Sequence, residues 1–438
     1  MKYHIWTEGC QMNVADSRRL ASSLEKLGYQ PTRVPKEADV IVLNTCVVRQ
    51  SAEDKAIGRL SSLKPLKDKN PNLVINLMGC LIGVRGNTKI QEKFPWVDVV
   101  SPPSHPEPLI ELLIQRNAKN QSLEKQIELN AILDEEISLP ENEKGKLVSA
   151  YIPIVYGCSH ACTYCIIPSK RGVEHSRPYD EIMAEARALV NQGVKELTLL
   201  GQIVDRYGLD LPEKPTLASL LRDLHSIEGL KRIRFLTSHP NWMTEELLDT
   251  VAELPKVCPH IEVPIQAGDD EILRAMRRGY TAAQYRELVH HIRERIPDVS
   301  IATDIIVGFP GETEEQFQKT YEVLDDLRMD VAHLARYSAR TGTYSERKME
   351  DAVPEVEKMR RFRLLESLQE EIATEINSRL FEKTVNVLFE EKSRGRWRGR
   401  TPTNKLVFVE SEEDLLGQER DINITWTGPW SLIGSLQE

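Results

Sequence analysis

Twice along this chain, short apolar runs alternate with segments of helical periodicity, and that rhythm restricts it to folds built on parallel sheets. In residues 1–118 the runs Tyr3–Trp6, Asp39–Leu43, Leu73–Leu77 and Val97–Val100 read as buried strands. Val14–Leu27 reads as a helix, with Asn13 as its expected N-cap and Gly28 just past its end. Val48–Leu63 and Glu107–Ile114 have the same periodicity. The expectation is an α/β fold that opens with a doubly wound parallel sheet. After a polar linker over 119–147 the rhythm resumes at about 148, with strands expected at Ile152–Val155, Glu196–Leu200, Arg232–Leu236, His260–Ile265, Ile301–Val307 and Val331–Tyr337. Thr244 before Glu245-Glu246 reads as an N-cap, and Thr313-x-x-Gln316 as a capping box. Six βα units predict an incomplete barrel whose strand C-termini face the chemistry. Over Glu355–Leu380 the apolar stripe Val356, Met359, Phe362, Leu365, Leu368, Ile372, Ile376 and Leu380 predicts one long helix. Thr384–Phe389, Leu406–Val409 and Ile422–Trp426 read as strands of a small all-β domain. The expected domains are 1–118, the linker 119–147, a core over 148–376 and a C-terminal barrel over 377–438.

The 438 residues contain seven cysteines, too few for a disulfide scaffold. The N-terminus lacks the basic-then-apolar layout of an export signal, and no stretch reaches the roughly 18 apolar residues of a membrane span. The expectation is a cytoplasmic protein with no membrane partner and reduced thiols, so that clustered ones point to metal or catalysis. Cys10, Cys46 and Cys80 each follow an expected strand by a few residues, and the carboxyl ends of such strands form the ligand crevice. Buried core thiols are the competing explanation for this widely spaced trio. Cys158, Cys162 and Cys165 form C-x3-C-x2-C directly after the first strand of the core. Three thiolates on one short loop can hold three irons of a cubane cluster, leaving the fourth open to a small molecule. Structural zinc is the alternative, but it wants four ligands, usually on paired C-x2-C arms that this loop lacks. Cys258 belongs to neither group and reads as structural.

C-x3-C-x2-C at the mouth of a βα barrel resembles the signature of radical S-adenosylmethionine (SAM) enzymes, and the surrounding motifs resemble the methylthiotransferase family along nearly the whole chain. Thr7-Glu-Gly-Cys10-Gln-Met-Asn13, Asn44-Thr-Cys46 with Arg49, and Gly79-Cys80 match its three N-terminal cysteine motifs. Gly157-Cys158 through Cys165-Ile-Ile-Pro168, Arg171-Gly172 and Ser176-Arg-Pro178 match its radical motif. Leu199-Leu-Gly201-Gln202, Thr303 through Glu312, and Tyr337-Ser-x-Arg340-x-Gly342-Thr343 continue the match in order. Ser238-His-Pro240 and Gly399-Arg-Thr401-x-x-Asn404-Lys405 favour the branch acting on isopentenyl-adenosine in tRNA. The chain departs from the family pattern at Arg18, at Leu81-Ile82 and at Ile203, without losing a thiol.

The resemblance implies two 4Fe-4S clusters and two uses of SAM. One cluster on Cys158, Cys162 and Cys165 would bind and cleave SAM to a radical that takes hydrogen from C2 of adenine. The other, on Cys10, Cys46 and Cys80, would supply the sulfur, methylated by a second SAM. The implied activity is methylthiolation at C2 of N6-isopentenyl-adenosine beside the anticodon. Sister activities on threonylcarbamoyl-adenosine or a ribosomal-protein aspartate are the nearest alternatives, and a non-catalytic zinc- and RNA-binding protein is the alternative of a different class. The implied partners are tRNA, an electron donor such as flavodoxin or ferredoxin, and a sulfur or cluster donor, with the enzyme itself a monomer.

Tyr164, Gly201, Gln202 and Gly308 are the expected SAM contacts, each balanced by an ordinary loop-packing or turn role. His160 reads as a solvated loop residue, and His239 and Arg340 as strand-end residues facing the crevice. In the tail, Lys392, Arg394, Arg396, Arg398, Arg400 and Lys405 surround Trp397, with only Glu391 among them to oppose their charge. Cations with an aromatic suit a phosphate backbone and an unstacked base, while a solvated hairpin face explains the charges alone. The small barrel resembles the TRAM module of RNA-modifying enzymes, and that resemblance makes Arg394, Arg396, Trp397, Arg398, Arg400 and Lys405 the expected RNA contacts.

Overall fold

Val40 and Val42 point to one face of a strand while Ile41 and Leu43 point to the other, and both faces are buried. A strand buried on both sides needs a layer of helices on each, and the computed structural model has that arrangement in residues 1–117; its described residues are 1–117 and 138–437. Five parallel strands lie in the order Gln30–Pro31, Lys2–Thr7, Val40–Thr45, Val74–Gly79, Val99–Ser101. Helix Gln50–Lys69 packs Ala56, Leu60 and Leu63 against Ile41, Leu43, Ile75 and Leu77. On the other face, Gln11–Lys26 and Glu107–Asn117 bring Leu20, Leu24, Leu109 and Leu113 onto Val40, Val42, Val74 and Met78. Residues 119–137 of the expected linker lie outside the described residues.

The structure divides into two compact units, the first comprising 1–145, 151–160 and 166–192, the second 146–150, 161–165 and 193–438. In the second, Glu196–Leu200 pairs in parallel with Arg232–Phe235, in a sheet completed by Ser149–Pro153, whose first two residues belong to this unit. His260–Glu262, Ser300–Val307 and Val331–Arg336 form a second parallel sheet. The Ser238 N–H donates to the Glu262 carbonyl at 3.0 Å, and Ile233 bridges Val257, so the two sheets continue one another. The six expected core strands are present in chain order.

Thr244 and Thr313 cap their helices as expected, the latter in a full capping box with Gln316. The long helix runs Glu355–Ser378 and buries Leu365, Leu368 and Ile372, but its first turns correct the expected stripe. Val356 is 83% exposed, and Lys358 and Arg361 take the inward places instead. The reason is charge: Lys358 Nζ meets Asp351 at 2.8 Å and Arg361 Nη1 meets Glu312 at 2.8 Å, so burial costs neither cation its counter-ion.

A closed five-stranded barrel ends the chain, in the order Thr384–Ser393, Arg396–Arg400, Leu406–Glu410, Leu432–Leu436, Glu419–Thr427. Val387, Phe389, Val407, Val409, Ile422 and Ile424 fill it. Closure leaves no unpaired edge, which lets so short a segment hold a sheet of its own. Among the described residues no helix is long and apolar enough to cross a membrane.

Candidate functional site

The N-terminal trio is assembled by the sheet. Lys2–Thr7, Val40–Thr45 and Val74–Gly79 are neighbours, and Cys10, Cys46 and Cys80 follow their carboxyl ends. Cys46 and Cys80 come immediately after their strands, and Cys10 N-caps the first helix after Gly9. A Cβ on Gly9 would stand 2.8 Å from Cys46 Cβ, so glycine is what lets the Cys10 turn lie against Cys46. The Cys80 N–H donates to the Thr45 carbonyl at 2.9 Å, which sets the third thiol beside the second.

The expected cap at Asn13 is corrected here. Asn13 lies in the first turn of the helix, buried, and its Nδ2 donates to Asn44 Oδ1 at 2.8 Å and to the Thr45 carbonyl at 3.1 Å. Asn44 returns a bond from Nδ2 to the Asn13 carbonyl at 2.9 Å. This reciprocal pair stitches the Cys10 turn to the strand that delivers Cys46. Cys10 Sγ lies 3.3 Å from Asn13 Oδ1, and the Val48 N–H points at Cys46 Sγ at 3.5 Å. Burial raises the Cys80 thiol to about 11, opposed by the Arg171 guanidinium, with Cys46 and Cys10 raising it further. Burial also raises Cys46, against the Val48 N–H and Arg171. Thiols of this kind ionise when a metal takes the proton's place.

Cys158, Cys162 and Cys165 lie within ten residues, 157–166, that form neither helix nor strand. In the first unit, the Cys158 N–H donates to the Gly172 carbonyl at 3.1 Å, and the N–H of half-buried His160 points at Cys158 Sγ at 3.4 Å. In the second unit, Thr163 anchors the loop through its N–H to the Met276 carbonyl and its hydroxyl to the Ala275 carbonyl. Arg278 Nη1 donates to Cys162 Sγ at 3.2 Å, and its Nε donates to Tyr280 Oη at 2.9 Å. Tyr164 meets Phe309 edge-to-face at 6.4 Å, and Phe309 meets Tyr337 likewise at 5.5 Å. Backbone N–H groups and a guanidinium aimed at sulfur suit thiolates rather than thiols.

Among the described residues no three His, Cys, Asp or Glu side chains are placed to hold a single metal ion. A cubane differs from a single ion in this respect, because each of its cysteines binds a different iron and the sulfurs stand farther apart. Both cysteine sets fit such a group in donor type.

Around the core, Gly201 is buried and its carbonyl accepts from Thr237 Oγ1 at 2.9 Å, while Gln202 is half-buried. Gly308 has φ +71°, and a Cβ there would stand 2.3 Å from Lys358 Cγ, so its lack of a side chain is required by packing against the long helix. His239 and Arg340 are buried; the His239 N–H donates to Asp205 Oδ2 at 2.8 Å, and its Nδ1 accepts from the Asn241 N–H at 3.2 Å. Burial raises Asp205 to about 7 against that bond, and burial with Asp304 nearby raises Glu262 to about 7. Cys258 is buried at a strand approach and is raised by burial to about 11, in keeping with a structural thiol.

The tail requires correction. Trp397 is 6% exposed, fills the barrel core and donates Nε1 to the Glu413 carbonyl at 2.8 Å, so it has no face to offer a base. Arg400 Nη1 turns to the Asn404 carbonyl at 3.2 Å, and Lys405 Nζ pairs with half-buried Asp330 at 2.5 Å. Those two cations serve the docking of residues 400–405 within the second unit. Arg396 pairs with Glu410 at 2.8 Å and Arg398 with Glu391 at 3.0 Å, both at the surface, and Arg394 is exposed in the turn between Thr384–Ser393 and Arg396–Arg400. Trp426 and Trp430 are 49% and 56% exposed at the end of the barrel strand Glu419–Thr427 and in the turn that follows it. The turn Gly428-Pro-Trp430 was their only signal in the sequence. Asn13 had been read only as a helix cap, Arg171 had appeared in a motif without a role, and Arg278 carried no signal at all.

Three family descriptions match the chain: Radical SAM superfamily over 152–324, Uncharacterized protein family UPF0004 over 2–101, and TRAM domain over 382–436. A tRNA-2-methylthio-N(6)-dimethylallyladenosine synthase of Roseiflexus sp. strain RS-1 is 48% identical over 99% of this chain and 89% of its own length. The protein of that name from Herpetosiphon aurantiacus is 47% identical, with 99% and 97% covered. Among solved structures, the radical SAM methyltransferase TsrM of Kitasatospora setae, with cobalamin and a 4Fe-4S cluster bound, superposes with a TM-score of 0.56 at 15% identity, covering 79% of this chain and 77% of that one. That likeness concerns the fold.

Proposed function

Since the chain belongs to the radical SAM family of tRNA-2-methylthio-N(6)-dimethylallyladenosine synthases, we propose that it methylthiolates C2 of N6-isopentenyl-adenosine beside the anticodon of tRNA. It is a transferase that uses SAM and 4Fe-4S clusters. The observation that carries the reading is the convergence of Cys10, Cys46 and Cys80 at three adjacent strand ends, in a chain that also carries the C-x3-C-x2-C loop. An unactivated aromatic C–H bond needs a radical, and the incoming sulfur needs a carrier; two thiol sets answer two needs. When bound, the clusters supply one-electron cleavage of SAM at one set and sulfur at the other.

In this reading Cys158, Cys162 and Cys165 hold the first cluster, and Arg278 orients Cys162 through its bond to sulfur. Tyr164, Phe309 and Tyr337 form an aromatic wall that excludes water beside that loop. Gly201, Gln202 and Gly308 remain candidates for SAM contact through their backbone. Cys10, Cys46 and Cys80 hold the second cluster, oriented by the Asn13–Asn44 pair. For tRNA, Arg394, Arg396 and Arg398 offer phosphate contacts, because surface ion pairs worth about 0–1 kcal/mol exchange readily. Trp426 and Trp430 take over the stacking role once expected of Trp397. A flavodoxin- or ferredoxin-type reductant, a sulfur or cluster donor, a monomeric state and a cytoplasmic setting complete the reading.

The test is anaerobic reconstitution followed by iron, sulfide and zinc assay, then turnover on purified tRNA. About eight irons per chain and a methylthio product on isopentenyl-adenosine tRNA are expected. Zinc in a colourless protein, or product only on threonylcarbamoyl-adenosine tRNA, would overturn the reading.

A further inference from the structure

Arg171 ends the short helix Ile167–Arg171, six residues after Cys165, yet within the first unit its side chain reaches the N-terminal trio. The side chain is 3% exposed. Its Nη1 donates to Ser104 Oγ at 3.3 Å, its Nη2 to Asn13 Oδ1 at 3.5 Å, and Asp16 Oδ2 stands 3.9 Å away. The same Asn13 Oδ1 lies 3.3 Å from Cys10 Sγ, and the guanidinium's charge opposes the burial that raises the Cys80 and Cys46 thiols. The approach is held from behind. The Val84 N–H donates to the Lys170 carbonyl at 3.0 Å, and a Cβ on Gly83 would stand 3.2 Å from the Lys170 side chain.

A buried guanidinium keeps its proton and therefore needs negative charge nearby. Asp16 supplies part of it, its buried carboxylate standing 3.9 Å from Nη1. The groups the guanidinium hydrogen-bonds, Ser104 and Asn13, are neutral. Three thiolates carrying an iron–sulfur cluster would supply further negative charge. The potential of such a cluster responds to nearby charge, so a buried cation beside the ligand sulfurs favours the reduced form.

We propose that Arg171 is a positioning residue for the second cluster: it holds Asn13 and with it the Cys10 turn, and its buried charge raises the reduction potential of the cluster that Cys10, Cys46 and Cys80 hold. This rests on the two-cluster reading above. A side chain from the continuation of the radical motif thus sets the electronics of the sulfur site.

The experiment isolates the second cluster by placing Cys158→Ala, Cys162→Ala and Cys165→Ala in the full chain, then adds Arg171→Gln or Arg171→Lys. Each protein is reconstituted anaerobically, assayed for iron and sulfide, and titrated with reductant under electron paramagnetic resonance. Arg171→Gln should move the midpoint to a more negative potential at unchanged iron content, with Arg171→Lys lying between it and the parent. If Arg171→Gln loses its iron, retention by Arg171→Lys supports the proposal, since the charge distinguishes the two. Loss from both, or an unchanged midpoint in Arg171→Gln, overturns it. A triple-alanine parent that holds no iron overturns the two-cluster reading as well, whereas an intact parent with an unmoved midpoint overturns only the role of Arg171.

Discussion

Arg234 donates Nη2 to the Thr401 carbonyl and Nη1 to the Pro402 carbonyl, both at 2.7 Å. The same guanidinium meets buried Glu196 through Nε at 2.9 Å. Two residues earlier, Arg232 donates to the Arg400 carbonyl at 2.6 Å, to Asn386 at 2.7 Å and to Glu419 at 2.9 Å. His260 lies 3.3 Å from Asn404. Glu196, Arg232 and His260 each begin a core strand, so the segment 400–405 closes the amino-terminal end of the core strands. The opposite, carboxyl-terminal end is where such barrels do their chemistry.

That closure predicts a cost for losing the cation. Arg234→Met should leave Glu196 and two carbonyls buried without their donor, destabilising the protein by about 3–5 kcal/mol. Urea unfolding of the reconstituted protein measures it. A change within 0.5 kcal/mol, roughly the scatter of surface substitutions, would mean that the closure contributes nothing to stability.

The barrel separates packing from charge. Trp397→Ala removes a core side chain and should cost about 3–5 kcal/mol in thermal or denaturant unfolding. Arg394→Ala should leave stability within about 0.5 kcal/mol while weakening tRNA binding and flattening its salt dependence. Equal tRNA affinity and salt slope in Arg394→Ala would assign that turn to a bystander surface.

The two thiol sets divide the labour. Cys162→Ala should abolish reductive cleavage of SAM, read as deoxyadenosine by liquid chromatography. Cys46→Ala should still form deoxyadenosine yet deliver no methylthio nucleoside. Methylthio-adenosine from Cys46→Ala would remove the N-terminal trio from the sulfur chemistry.

Asp205 carries a pH dependence. Its folded value, raised from 3.8 to about 7 chiefly by burial, lies above its unfolded one, so the protonated acid stabilises the fold. That contribution is complete below 3.8 and is lost as pH rises through about 7. Asp205→Asn keeps an acceptor for the His239 N–H and should remove a slope of up to about 1.4 kcal/mol per pH unit across that window. Denaturant midpoints between pH 4 and 8, compared with the parent, would show the flattening; parallel profiles would place the titration elsewhere.

Local patterns made much of the molecule legible. Apolar runs bounded by polar residues located the strands of both parallel sheets, and threonine caps located helix starts, because both signals depend on near neighbours in the chain. The loop Cys158–Cys165 was readable for the same reason, its spacing being its geometry. Other features were settled by residues far away in sequence. Asn13 looked like a cap until Asn44, 31 residues on, claimed its side chain. Trp397 looked like part of a charged surface, although in Arg396-Trp-Arg-Gly-Arg400 alternate residues face opposite sides and the tryptophan takes the inner one.

The sequence by itself determined the order of the elements and the spacing of the C-x3-C-x2-C loop, because periodicity and spacing are properties of the chain; the chemistry expected of the six cysteines came from the motifs that carry the family resemblance. Tertiary structure alone decided which groups meet: the three widely spaced thiols at one sheet edge, Arg171 among them, and Thr401 against Arg234. Those meetings depend on sheet order and on buried charges finding partners, and neither is written in any local stretch of residues.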